Sequence, residues 1–371
     1  MALSKVDLAN QVENQLPQNL VANNLPFRNI IINGDMSIAQ RGTSANTLAS
    51  SGYYTLDRFK FQAISAGVWT MSQDTNVPTG QGFAKSMKFD VTTAEASPSA
   101  TTRLWTRLEG QNLQQLKYGT SNAESLTLSF WVKSNLTGTF IFWLYQEDGS
   151  NRSISKSYTI NSANTWEKKT ITIDGDTSGQ IDNDNGSALR VVWFLTADQS
   201  AYGTSSLQTS WGSYDSTAVA TGQTNVGSST SNEWYITGIQ LEVGTSASDF
   251  EFLPYDVNLQ RCMRYYQVLI NGDDQSFENF TSYNGASIYS SHRFNVTEMR
   301  TAPTGITSNN TNDFAFYSES NAHFAPTLSF SNIYEKGSWI YCTMTSSVTH
   351  GSALFGKGNA STALCAFDAE L

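Results

Sequence analysis

Trp105, Trp131, Trp143 and Tyr145 fall in stretches whose residues alternate like strands, and aromatic rings so placed could take part in sugar recognition. In Leu126-Thr-Leu-Ser-Phe-Trp-Val-Lys133, alternation puts Leu126, Leu128, Phe130 and Val132 on one face and Trp131 with Lys133 on the other. Trp143 and Tyr145 share a face of Phe140-Ile-Phe-Trp-Leu-Tyr145, and Trp105 shares one with Arg107 and Glu109. Sugar C–H faces stack on aromatic rings, while sugar hydroxyls need polar partners such as Arg, Gln or Glu. If these strands are neighbours, Trp105, Arg107, Trp131, Trp143, Tyr145 and Gln146 line one glycan-binding face. The same rings could instead fill a second hydrophobic layer or a subunit contact, because aromatics bury large areas wherever a sandwich needs filling.

A second chemistry is cation binding. Asp174-Gly-Asp-Thr-Ser-Gly179 followed by Asp182 has the start of an oxygen-ligand calcium loop, and Asp35 in the Asn33-Gly-Asp turn is a further candidate. Asn185 stands where the closing bidentate Glu of an EF-hand is required, so that particular loop type fails. Asp and Gly also build plain turns without metal. A third chemistry is hydrolysis. His292, His323 and His350 neighbour no Ser or Cys motif, which leaves only a carboxylate pair of the glycosidase kind as an alternative. The expectation is a protein that is not an enzyme and carries no organic cofactor.

The elements that must position these residues are strands. Charged residues are 15% of the chain and aromatics 12%, with abundant Gly, Ser, Thr and Asn, a mixture that suits pleated surfaces and polar turns. Further strands are expected at 165–173, 189–195 and 233–242, with turn clusters at 135–138, 147–150 and 182–186. The Ser/Thr/Gly-rich span 197–232 reads as an extended loop, too polar for a core, with one short strand near Trp211. A boundary is expected near Pro254, because eight of the nine Trp precede it and all three Cys follow it. Residues 29–256 form one domain and 257–371 a smaller β-domain, with Thr301-Ala-Pro-Thr-Gly305 as a tight connection. In residues 1–28, Leu8, Val12, Leu16 and Leu20 recur every four positions and Pro17 interrupts the pattern, which predicts a short helical or extended segment for attachment or trimerisation.

Charge and cysteine usage exclude several partners. The net charge is −10 and no basic run exists to neutralise phosphates, so nucleic acid is not expected. Three widely spaced Cys without a CxxC pair argue against a disulfide framework and against a zinc site. No stretch approaches the roughly 20 apolar residues of a membrane span, and the start lacks a signal-peptide core, so synthesis in a host cytoplasm without export is expected.

The ordered phrases Asn33-Gly-Asp-Met-Ser-Ile-Ala-Gln-Arg-Gly42, Tyr54-Thr-Leu-Asp-Arg-Phe59, Leu128-Ser-Phe-Trp-Val-Lys133 and Gly175-Asp-Thr-Ser-Gly179 run on through Asp184-Asn-Gly186 and Thr237-Gly-Ile-Gln-Leu-Glu-Val-Gly244. Phe250-Glu251, Pro254-Tyr255 and Arg261-Cys-Met-Arg-Tyr-Tyr266 close the series, and Met299-Arg-Thr-Ala-Pro303 adds one more. This series resembles phage and prophage tail-fibre-like structural proteins with a carbohydrate-binding-module-like domain. The resemblance implies an all-β fold: a jelly-roll β-sandwich, then a second, smaller β-sandwich. It also implies a homotrimeric virion appendage that binds host surface polysaccharide and meets other virion proteins through its N-terminus. Structural calcium, common in such jelly rolls, would fall to Asp35, Asp174, Asp176 and Asp182. A purely structural virion protein and a glycan depolymerase are the alternatives, although no β-helix repeat of the kind usual in phage depolymerases is found.

Overall fold

A computed structural model describes residues 27–64, 67–149, 151–284, 287–290, 294–295, 297–308, 310, 312–318, 321–325, 328–344, 346, 348–350 and 352–371. Of the expected N-terminal segment only Phe27 and Arg28 belong to the described residues. The chain divides into two compact units, one ending at Pro254 and one running from Tyr255 to Leu371.

The first unit is a jelly-roll β-sandwich of two six-stranded antiparallel sheets. Its strands are β1 (Ser44–Leu48), β2 (Lys60–Ala63), β3 (Val68–Asp74), β4 (Ser86–Thr93), β5 (Thr101–Glu109), β6 (Leu126–Ser134), β7 (Gly138–Gln146), β8 (Arg152–Ile160), β9 (Glu167–Ile173), β10 (Ser187–Ala197), β11 (Gly212–Ser213) and β12 (Glu233–Val243). The first sheet runs β1-β3-β4-β12-β6-β9 and the second β11-β8-β7-β10-β5-β2. From β4 onward the chain crosses between sheets at nearly every connection, and only β7 and β8 form a hairpin within one sheet.

Period-two alternation decides what the sheets bury between them. Leu126, Leu128, Phe130 and Val132 of β6 face Phe140, Phe142 and Leu144 of β7 and Val191, Trp193 and Leu195 of β10 in one core. Phe130 meets Trp193 edge-on at 5.9 Å, and Phe142 meets it at 5.5 Å. Strand β7 is apolar on its other face too, because Ile141 and Trp143 join a second cluster outside the sandwich.

The phrases that carry the sequence resemblance do structural work. Buried Asn33 accepts from the Ile38 amide at 2.9 Å and donates to the Ile38 and Asp57 carbonyls at 2.9 and 3.0 Å, while Asp57 accepts from the Gln40 amide at 2.9 Å. This ties the Asn33 turn to the Leu56-Asp57 segment. A Cβ on Gly34 would lie 2.0 Å from the Ile239 carbonyl oxygen, so only glycine lets the turn press against β12. In the Thr237–Gly244 phrase, Gln240 accepts from the Glu251 amide at 2.8 Å, and Glu251 in turn accepts from the Asn29 amide at 2.9 Å. The two ends of the unit are thereby latched to the central strand.

The span 197–232 departs from its sequence reading in one respect. The short strand beside Trp211 is present as β11, pairing with β8. The rest is not too polar for burial. Ala218, Val219, Ala220 and Val226 are buried, and Val219 and Ala220 lie with Tyr202 and Leu207 over Trp105, Trp143, Val192 and Phe194 of the second sheet. Alternating polar residues satisfy the covering backbone. Asp198 accepts from the Ser200 amide at 2.8 Å, Asp215 accepts from the Thr217 amide at 2.9 Å, and Gln223 accepts from the Ile141 amide at 2.7 Å.

The second unit opens with a helix, α1 (Tyr255–Met263), in a stretch that sequence reading treats only as the start of a β-domain. Strands β13 (Tyr266–Asn271), β14 (Ser276–Ser282), β15 (Ser287–Ser290), β16 (Phe294–Asn295), β17 (Thr304–Thr307), β18 (Phe314–Ser318), β19 (Asn321–Ala325), β20 (Ser329–Tyr334), β21 (Gly337–Thr343), β22 (Ala353–Gly358) and β23 (Leu364–Asp368) follow. They form a three-stranded sheet β13-β23-β17 and an eight-stranded sheet that share Ile270, Phe280, Phe316, Ile340 and Cys365 as core. Cys262, Cys342 and Cys365 form no disulfide, each is 1% exposed or less, and burial pushes the thiols of Cys342 and Cys365 up.

Candidate functional site

The six glycan candidates divide between the two sheets. Trp105, Arg107, Trp143 and Tyr145 come together on the outer face of the second sheet, because β5, β10 and β7 are successive neighbours there. Trp131 lies on the first sheet, since β6 pairs with β12 and β9. Gln146 alternates to the face opposite Tyr145, is fully buried, and donates to the Gln180 carbonyl at 2.7 Å. One common face for all six is therefore replaced by two separate sites and one inward-facing side chain.

On the first sheet, Trp131 stands between Thr237 of β12 and Lys168 of β9. The ladder between β6 and β12 shifts register after Thr237, and Gly238 there has φ +63°. The bulge makes room for Phe83: a Cβ on Gly238 would lie 2.5 Å from its ring. Thr237 donates from its hydroxyl to the Lys85 carbonyl at 2.7 Å, which holds the Phe83 loop over the sheet. Phe83, Phe250 and Phe252 then pack as a trio with centroids 4.9–5.1 Å apart. The result is a cleft of about 180 Å³ lined by Trp131, Phe83, Phe250 and Phe252, with Gln81, Lys168 and Asp249 at its rim. Phe252 is 51% exposed and Trp131 is partly exposed, so both side chains reach solvent. Sequence reading missed the three Phe because they lie outside the regular strands, where alternation carries no signal.

On the second sheet the rings are less open. Trp105 is 4% exposed and Trp143 2%, under the 197–232 cover. Arg107 and Arg190 lie directly opposite each other on β5 and β10, an unfavourable cross-strand pair of like charges. Glu147, just beyond the end of β7, bridges the pair and offsets one of its two charges: Arg107 donates to it at 3.0 Å, and Arg190 and the Ser187 hydroxyl donate to it as well. Both guanidinium carbons lie over the Trp105 ring, at 4.4 and 4.2 Å from its centroid. Trp143 packs on Tyr145 at 5.0 Å and on Tyr214 at 5.8 Å, and Tyr214, from the cover, is 41% exposed. The second hydrophobic layer that sequence reading weighed against sugar binding thus accounts for Trp105 and Trp143.

The calcium candidates are not gathered into one group. Asp176 is 1% exposed, ion-paired to Arg152 at 2.7 Å, and accepts from the Ser178 amide at 3.1 Å. Asp35 accepts from the Ser37 hydroxyl at 3.0 Å. Asp174 contributes its carbonyl to the Trp211 indole at 2.7 Å, and the Asp182 amide donates to Asp148 at 3.1 Å. Among the described residues, no three His, Cys, Asp or Glu side chains are placed to hold a metal ion. Of the histidines, His323 lies between the hydroxyls of Ser318 and Ser346 at 3.0 and 2.9 Å, His350 is exposed, and His292 falls outside the described residues.

No family model matches the chain, and no curated protein matches it. Solved structures to which the chain is similar include the enzymatically active domain of Bacteriophage CBA120 tailspike protein 4, at 12% identity and a TM-score of 0.33 over 59% of this chain and 22% of that one. The family 11 carbohydrate-binding module from Clostridium thermocellum, in complex with a β-1,3-1,4-mixed-linked tetrasaccharide, is similar at 11% identity and a TM-score of 0.27, over 56% of this chain and 98% of that one. The CBM22-1 xylan-binding domain from Paenibacillus barcinonensis is similar at 11% identity and a TM-score of 0.25, over 55% and 94%.

Proposed function

We propose that this chain is a glycan-binding component of a phage virion appendage and that a sugar ring stacks in the Trp131 cleft. The observation that carries the binding is the pairing of the solvent-reaching aromatic side chains Trp131 and Phe252 with a polar rim of Gln81, Lys168 and Asp249. Apolar C–H faces and equatorial hydroxyls of a pyranose need that combination. The virion setting is supported by the ordered series of sequence phrases from Asn33 to Tyr266. A homotrimer would present three such clefts and multiply a weak single-site affinity. The role is recognition, with no bond broken.

The test is a glycan array and a host-cell adsorption assay with wild type and Trp131→Ala. Loss of the stacking ring should weaken binding about 30-fold, ~2 kcal/mol, while circular dichroism stays unchanged. Equal binding by the two proteins would refute the cleft, and release of reducing ends from polysaccharide would replace recognition by hydrolysis. A second reading is favoured by the same exposed Phe252: the cleft could seat a neighbouring subunit in a purely structural virion protein. In that case Trp131→Ala lowers the oligomeric state instead of glycan affinity.

A further inference from the structure

The outer face of the second sheet carries a charge imbalance that the Trp131 cleft does not explain. Three guanidinium groups, Arg103, Arg107 and Arg190, project from β5 and β10 on this face, in a chain whose net charge is −10. Glu147 serves Arg107 and Arg190. Arg103 has no carboxylate partner among the described residues: its Nε donates to the Thr101 hydroxyl at 2.8 Å, and its guanidinium lies over Phe194 at 5.3 Å and Trp143 at 5.6 Å. Burial lowers its pKa to about 10, the repulsion of Arg190 acting in the same direction.

The uncompensated charge lies at one end of the face. Asp148, Asp182 and Asp184 gather on the Glu147 side, where their mutual repulsion, added to burial, raises the Asp148 pKa. The Arg103 end has Tyr202 and Tyr214 as its polar neighbours instead. Two further donors are unspent: the buried indole N–H groups of Trp105 and Trp143 have no acceptor among the described residues. A half-buried guanidinium with no carboxylate partner among the described residues, beside an exposed tyrosine ring, is complementary to an anion attached to a ring that can stack.

We propose that the outer face of the second sheet, at the Arg103–Trp143–Tyr214 end, binds the carboxylate of an acidic sugar residue such as a uronate or a sialate. Arg103 supplies the fork of donors and the Tyr214 ring supplies the stacking surface. The site is separate from the Trp131 cleft, on the other sheet of the sandwich, so either can fail without the other.

The experiment is tryptophan-fluorescence and calorimetric titration of the intact chain with tetragalacturonate against its methyl ester and with sialyllactose against lactose. At least one acidic oligosaccharide should bind tenfold or more tightly than its uncharged counterpart, and its affinity should fall as salt is raised. Arg103→Gln should reduce that affinity at least tenfold, and Trp131→Ala should leave it unchanged. Should Arg103→Gln fold poorly, Tyr214→Ala, which alters a 41% exposed side chain, is expected to weaken binding about tenfold on an intact fold. The proposal is overturned if neither acidic sugar is preferred, if Arg103→Gln or a folded Tyr214→Ala binds like wild type, or if acetate or sulfate competes as well as the oligosaccharide.

Discussion

Glu147 shows how one side chain permits a strand pairing that would otherwise be unfavourable. Alternation places Arg107 and Arg190 opposite each other, and both then stack on Trp105. The carboxylate converts their repulsion into a bridged trio that is partly shielded from water, with side chains 16–21% exposed. Glu147→Ala should therefore cost about 1–3 kcal/mol of stability, less than for a wholly buried pair because solvent still screens the charges. Urea denaturation measures this, and an unchanged midpoint would show that the trio contributes nothing. At this scale the sequence was informative about type and poor about company. The alternation of Trp105, Trp143 and Tyr145 showed which residues share a face, and the structure brings those three together. Alternation fixes the face of a strand but not the sheet it joins, so Trp131 could not be separated from Trp143 without the pairing of β6 to β12 and β9.

Among the elements, the bulge in β12 and the 197–232 cover most shape the two faces. Gly238 lets β12 step past Phe83, and a side chain there would have to adopt φ +63° and clash with the ring. Gly238→Ala should destabilise the unit by roughly 2 kcal/mol or more and weaken glycan binding at the cleft together. A variant with normal stability and normal binding would show the bulge to be dispensable. The cover depends on two aspartate caps. The Ser200 hydroxyl and amide hold the Asp198 carboxyl below its usual range, and those of Thr217 do the same for Asp215. A depressed pKa contributes stability above the unfolded value of about 3.9, and the contribution is lost as pH falls through the folded values. Amide exchange in residues 199–222 should accordingly quicken relative to the β-strands below pH 4, and equal protection at pH 6 and pH 3 would exclude this role. The cover was illegible in sequence because its Ser/Thr/Gly content masks the few residues, Val219 and Ala220 above all, that it buries. Helix α1 was missed for a related reason: only Asn258 and Cys262 of its nine residues are buried, too few for an apolar stripe.

For the whole molecule, strand content and class were the most legible properties, since low charge, many aromatics and repeated turn clusters all favour sheets. The topology was accessible only through the ordered phrases, and the structure gives those phrases a reason. Asn33, Gly34, Asp57, Gln240 and Glu251 meet around β12 and close the sandwich, a packing role independent of any ligand. Such residues identify a fold more readily than a function.

The three cysteines lead to a consequence of another kind. All are inside the second unit, none is in a disulfide, and the thiols of Cys342 and Cys365 are held protonated by their apolar surroundings. A thiol-specific reagent should label none of them in the native chain at neutral pH and all three after unfolding in denaturant, and rapid labelling of the folded protein would contradict the burial. A polypeptide so arranged is covalently indifferent to its surroundings: it can mature in a reducing medium and persist in an oxidising one with the same bonds.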